Sequence, residues 1–183
     1  MLNEYKLILD EIEKVLKASN YSQSDEFIES ILNANKIVVF GAGRVGFAMK
    51  GFSMRLNHLG LESFFLGDVN VPNTGDGDLL IVGSGSGNTI SVTDMVLLAK
   101  KNKLKVVSIT ANVNSIIAKE SDQIIVLNCQ TKEDEHMQRA SKQPMTTLFE
   151  QSLSIVLDSF VLKLMTTKKE THFSMLERHN NLE

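Results

Sequence analysis

A single cysteine, Cys129, stands among 183 residues, so no disulfide can form within the chain. That usage fits a reducing compartment and points to the cytoplasm. A lone cysteine could serve as a nucleophile, but this one ends an apolar strand pattern and reads as a small buried filler. Basic stretches are scarce as well. Lys and Arg number 19 against 22 Asp and Glu, for a net charge of -3. Nucleic-acid binders usually carry a basic balance or a Lys/Arg stripe, so the charge argues against that class, and no nucleic-acid partner is expected. Lys100, Lys101 and Lys103, like Lys168 and Lys169, form short separate groups that read as solvated helix ends. No apolar run approaches the ~20 residues needed to cross a bilayer, so no membrane partner is expected. The acidic, amphipathic start has no apolar signal core. The four histidines and the cysteine show no metal-ligand spacing. Internal repeats and low-complexity segments are absent.

What is present is an ordinary globular composition, 43% hydrophobic, in a chain long enough for one good core. Leu2, Tyr5, Ile8, Leu9, Ile12, Val15 and Leu16 recur at helical spacing. A second helix is predicted over Ser24–Ala34, after a polar break at Tyr21–Ser24. From Lys36 the pattern changes to short β-branched runs. These cover 36–40, 63–66, 78–82, 104–109 and 123–127, and helical sequence joins most of them. Strands apolar throughout are buried on both faces, the mark of a parallel α/β sheet. Right-handed crossovers then give a three-layer, doubly wound, five-stranded parallel sheet. Residues 128–142 are polar and charged and read as a loop. A long helix is predicted from about Pro144, since Pro suits the first helical position. It is apolar on nearly all sides through Leu164, so part of it is expected in a subunit interface. The whole reads as a single domain over residues 1–183. A helical lead covers 1–34, an α/β core 36–127, and a C-terminal helix and tail 143–183.

Two glycine loops fall at strand ends, where open α/β sheets bind ligands. The first, Gly41-Ala42-Gly43-Arg44-Val45-Gly46, matches a dinucleotide fingerprint, with Asp68 about twenty residues on as a ribose-binding acid. Its other reading is a tight strand-to-helix turn that lets the backbone approach any ligand. The second loop is Gly83-Ser84-Gly85-Ser86-Gly87-Asn88-Thr89. Its glycines let backbone N–H groups turn toward an anion, and the following helix N-terminus adds a favourable dipole. Ser84, Ser86 and Thr89 add three hydroxyl donors. No Lys follows, so this is not a nucleotide P-loop, and neutral donors in this number suit a monophosphate ester. The competing reading is a turn in which Asn88 or Thr89 caps a helix. Capping needs one hydroxyl, however, and this loop carries three.

These residues give the chain a resemblance to sugar isomerase (SIS) domain proteins, and within them to the 6-phospho-3-hexuloisomerases. The two glycine loops carry it, together with Met54-Arg55-Leu56-Asn57-His58, Gln143-Pro144-Met145, Leu148-Phe149-Glu150-Gln151 and the ending His179-Asn180-Asn181-Leu182-Glu183. The resemblance implies a five-stranded parallel sheet with a helical lead. It also implies a homo-oligomer, commonly a homotetramer, with active sites shared between subunits. Three places depart from the expected pattern. Asn180 replaces Ala, Thr146 replaces Gly, and the stretch 69–74 is poorer in Thr and Pro.

The reaction so implied interconverts 3-hexulose 6-phosphate and fructose 6-phosphate, through an enediol, in the ribulose monophosphate pathway. It needs a base, a proton donor and a phosphate anchor, and no cofactor or metal. Glu150 is the candidate base, because a carboxylate among Leu148, Phe149, Leu153 and Leu157 can be tuned toward neutrality. Its other reading is an exposed helical Glu. His58 and His179 are the candidate proton shuttles or ring openers, though a lone helical His is more often structural. Residues 172–183 are expected to fold over a neighbouring subunit's pocket. His136 and His172 are explained by loop and tail polarity. Phosphate binding is assigned to Ser84, Gly85, Ser86, Gly87, Asn88 and Thr89. Gly43 and Arg44 face the same crevice, with Arg44 on sugar hydroxyls or the phosphate charge, and Arg55 is assigned to helix packing or the interface. The alternatives are an arabinose 5-phosphate isomerase, a non-catalytic phosphosugar sensor, and a dinucleotide enzyme.

Overall fold

A computed structural model describes residues 1–130 and 141–182. The stretch 131–140, with His136, and the terminal Glu183 lie outside the described residues. Two helices, α1 (Leu2–Ala18) and α2 (Ser24–Asn33), precede five strands: β1 (Ile37–Gly41), β2 (Ser63–Phe65), β3 (Leu79–Ser84), β4 (Lys105–Thr110) and β5 (Gln123–Val126). Between and after them come α3 (Gly43–His58), α4 (Ile90–Lys101), α5 (Ile116–Glu120), α6 (Thr147–Lys168) and α7 (His172–Leu176).

All strand pairs are parallel, in the order β2-β1-β3-β4-β5. The alternation along the strands explains the three layers. Ile37, Val39, Leu79, Ile81, Val107 and Ile109 face one core, with Phe27 and Ile31 of α2, Met49 and Leu56 of α3, and Phe149 and Leu153 of α6. Val38, Leu80, Val82 and Val106 face the other, with Val92 and Val96 of α4 and Ile117 of α5. Side chains alternate across a strand, so apolar residues at every position commit both faces to burial. Cys129 is buried in the first core, as a small filler would be. Strand order reverses between β1 and β3, and in such sheets the crevice at that reversal is the ligand site.

The long helix differs from the sequence expectation at its start. It begins at Thr147, three residues after Pro144. Met145 takes φ +53, in the left-handed region, and Thr147 N–H bonds the Pro144 carbonyl, so Pro144 sits in a turn ahead of the helix. Glu150 is therefore in the first turn of α6. The helix is also less uniformly buried than its composition suggests. Leu148, Phe149, Leu153, Val156, Leu157, Phe160, Val161 and Leu164 are buried, whereas Ile155 and Leu162 are exposed. Among the described residues, no helix is long and apolar enough to cross a membrane.

Candidate active site

The first glycine turn joins β1 to α3, and packing forces its composition. A Cβ on Gly46 would lie 2.5 Å from the Gly41 carbonyl oxygen, so the helix can approach the strand end only with glycine there. This sets the first turn of α3, and with it Arg44, beside the carboxyl end of β3. Asp68, the acid in the dinucleotide reading, is ion-paired with Lys50 at 2.8 Å.

The second loop is held from within. Gly87 adopts φ +69, and a Cβ there would fall 2.1 Å from Ser115 Oγ. Gly87 N–H donates to Ser84 Oγ at 3.1 Å, and Ser84 and Thr89 hydroxyls lie 3.1 Å apart. The neighbouring strand and α5 hold the loop from outside. Ala111 N–H and the Thr110 hydroxyl donate to the Gly85 carbonyl, Ile117 N–H to the Gly87 carbonyl, and Ile116 N–H to Asn88 Oδ1. Thr89 occupies the N-cap position of α4, yet its side chain makes no capping hydrogen bond. The loop hydroxyls are thus committed to the loop, not to the helix end, which weakens the capping reading.

Both loops and the start of α6 enclose a cavity of about 240 Å³. Gly43, Arg44, Ser84, Gly85, Ser86 and Thr89 line it, and so do Thr146 and Glu150. Gly87 and Asn88 do not: Gly87 shapes the turn, and Asn88 ties it to α5. Glu150 is 13% exposed, and its carboxylate does not sit among apolar side chains as the helical pattern implies. Leu148, Phe149 and Leu153 turn into the core, while Glu150 turns to the cavity. Its Oε2 lies 3.2 Å from Arg44 Nη1, and its Oε1 accepts the Thr146 hydroxyl at 2.9 Å. Arg44 also donates to the Thr147 hydroxyl at 3.4 Å. An ion pair this open on one side is worth about 0.2–1 kcal/mol.

His58 and His179 lie elsewhere. They share a second cavity, of about 430 Å³, with Arg55, Asp158, Val161, Met165, His172 and Met175. Their ring centroids are 5.1 Å apart, and His58 is buried at 7%. Arg55 Nη1 donates to His58 Nδ1 at 3.3 Å, which gives that arginine a partner on its own helix. Fourteen residues of α3 separate Arg44 from His58, about 21 Å at the helical rise. Within one chain, then, the candidate base and the candidate histidines are not brought together. The tail is held by Arg178, which pairs with both Glu170 oxygens and donates to the His58 carbonyl at 2.9 Å. The Arg178 and Ser174 hydrogen bonds keep the Glu170 carboxyl below its ordinary range. A larger cavity, about 680 Å³, lies at the opposite strand ends between α2 and the starts of β3 and β4, and holds none of these residues.

Thr146, noted in the sequence as a departure from Gly, lines the cavity and holds the carboxylate four residues on. Two contributors, Arg178 and Glu11, had no sequence signal. Glu11 of α1 accepts from Lys142 N–H at 2.9 Å, the Ser141 hydroxyl at 2.7 Å and the Gln143 amide at 3.1 Å. It thus grips the segment that leads into the Pro144 turn and α6. Burial pushes its carboxyl upward, but these three donors, with Lys14 nearby, hold it below the ordinary value.

Comparison with known proteins identifies the family of this fold. A model of the SIS domain family matches residues 30–161, which include both glycine loops, His58 and Glu150. The 3-hexulose-6-phosphate isomerase of Bacillus subtilis is 36% identical over 176 residues, covering 96% of this chain and 95% of its own length. A crystal structure described only as that of a hypothetical protein superposes with a TM-score of 0.89 at 33% identity, covering 99% of this chain and 96% of that one. Another, of a hypothetical protein from Methanococcus jannaschii, is reported to infer a 3-hexulose-6-phosphate isomerase function. It superposes with a TM-score of 0.83 at 29% identity over 99% of both chains. The chain belongs to the SIS domain family.

Proposed function

We propose that the chain is a phosphosugar isomerase that interconverts 3-hexulose 6-phosphate and fructose 6-phosphate. The observation that carries this reading is one cavity lined both by the Ser84–Thr89 hydroxyls and by the Glu150 carboxylate. A phosphate ester seated on the loop would put its sugar carbons toward the first turn of α6. The Glu150 carboxylate takes the proton from C2 of the hexulose, giving a 2,3-enediolate that gains a proton on O3. The protonated carboxyl then returns its proton to C3 while the O2 proton leaves and the carbonyl forms at C2, so the net change is one proton from C2 to C3 and one from O2 to O3, with no electron acceptor. The identity to the Bacillus subtilis isomerase over nearly both whole chains supports this substrate pair.

The working unit of the reading is a homo-oligomer, a tetramer by resemblance, in the cytoplasm. His58 and His179 serve the cavity of a neighbouring subunit, as ring opener and proton shuttle. The exposed apolar residues Leu162, Phe173 and Leu176 near their cavity support an interface there. The test is a coupled assay. A hexulose-phosphate synthase, ribulose 5-phosphate and formaldehyde are supplied, and fructose 6-phosphate is followed. Its formation only when this protein is added is the expected result. No product, with turnover of arabinose 5-phosphate instead, would replace the substrate while keeping the isomerase.

A further inference from the structure

Among the described residues, one positively charged side chain, Arg44, lines the cavity at the strand ends, and it is paired with the candidate base. The loop offers the phosphate hydroxyls and backbone N–H groups, all neutral. Among the described residues of its own chain, a dianion entering this cavity finds Arg44 already held by a monoanion. The two partners of that pair differ in freedom. Glu150 is 13% exposed and is tethered at Oε1 by Thr146. Arg44 is 55% exposed, in the first turn of α3, and its other contact, to the Thr147 hydroxyl, is exposed and long at 3.4 Å. Of the two, Arg44 is the one able to leave.

We propose that Arg44 exchanges partners when substrate binds. It holds Glu150 Oε2 until a phosphate monoester is seated on the loop, then moves to the phosphate and leaves the carboxylate oxygen to accept the substrate proton. The proposal rests on the reading of the loop as phosphate anchor and of Glu150 as base. Its chemical logic is charge and occupancy. With Thr146 on one oxygen and Arg44 on the other, both oxygens of the carboxylate are engaged. A dianion attracts the guanidinium more strongly than a carboxylate at like distance, and a planar fork matches phosphate oxygens in pairs. A sugar without phosphate leaves the pair closed. Arg44 would thus make proton removal conditional on the phosphate, a specificity role apart from simple affinity.

The exchange is tested by a double-mutant cycle in equilibrium binding. Inorganic phosphate and fructose 6-phosphate are titrated into the wild type, Arg44→Ala, Glu150→Gln and the double variant. Arg44 is half-exposed and Glu150→Gln keeps the shape and an acceptor for Thr146, so all four should fold, as melting curves would check. If Arg44 must first be taken from Glu150, its loss costs little in the wild type. In Glu150→Gln it is available outright, so the same substitution should cost about fivefold more in phosphate affinity. Simple repulsion between Glu150 and phosphate predicts instead that Arg44→Ala costs the same in both backgrounds. That equality would overturn the exchange while leaving the isomerase reading standing. Failure of all four proteins to bind either probe would overturn the phosphate anchor, and the exchange with it.

Discussion

The strand-end cavity and the histidine cavity occupy opposite ends of α3 and are built by different means. The first is made of backbone turns. Gly46 against Gly41, and Gly87 against Ser115, leave no space for side chains, and hydrogen bonds from β4 and α5 fix the loop from behind. The second is made of side chains on α3, α6 and the tail, and a single residue, Arg178, bridges Glu170 and the His58 carbonyl. A site formed by turns at strand ends inherits the rigidity of the sheet. A site formed between helices and a tail depends on a few exposed contacts, and can be loosened without disturbing the core.

The largest expected effect falls on the first cavity. Glu150→Gln should leave the melting temperature near that of the wild type and lower kcat by about 10²–10⁴, the range for loss of a general base. Turnover unchanged from the wild type would remove Glu150 from the mechanism. Next is Arg178→Ala, which should release the tail from α3 while leaving the loop intact. Inorganic phosphate should bind as before, and kcat should fall about 10-fold through misplaced histidines. A kcat equal to that of the wild type would separate the histidine cavity from catalysis, and the contrast between the two cavities would then be structural only.

The smallest effect is expected at Glu11, which grips the lead-in to α6. Glu11→Gln should cost about 1 kcal/mol, as charge-assisted hydrogen bonds weaken at a partly exposed site. Its folded carboxyl titrates below the ordinary glutamate value. The unfolded chain therefore binds this proton first as pH falls. The contribution is present above the ordinary glutamate range and is lost as pH falls through the lowered folded value. Denaturant melts across pH 3–7 should show wild type and variant converging in acid and separating near neutrality. A constant gap at all pH would mean that the grip is not electrostatic.

Much of this architecture was legible beforehand because it is local. The runs 36–40 and 78–82 are apolar at every position and end in glycine, so strand, turn and following helix could be read together. The loop hydroxyls of Ser84, Ser86 and Thr89 pointed to an anion site within seven residues, and all three line the cavity. Glu150 stood out by chemistry, but its surroundings were misread. Helical periodicity placed it among leucines, whereas the turn at Met145 starts α6 late and turns the carboxylate toward Arg44 and Thr146. Asn88 and Gly87, assigned to the phosphate with the rest of their loop, lie outside the cavity lining, since spacing alone does not say which side of a loop faces a cavity.

By itself, then, the sequence determined the strand–turn–helix units, the two glycine turns and the residue types available for chemistry. Each is decided over a few consecutive residues, by burial period and by glycine's access to conformations that other residues avoid. Tertiary structure alone decided which of those units meet. Arg44 reaches Thr147 across 103 positions, and Glu11 reaches Gln143 across 132. Strand order opens the crevice between β1 and β3, and the length of α3 puts the histidines in a different cavity from the base. Such meetings depend on how crossovers stack whole elements, and no local pattern encodes that.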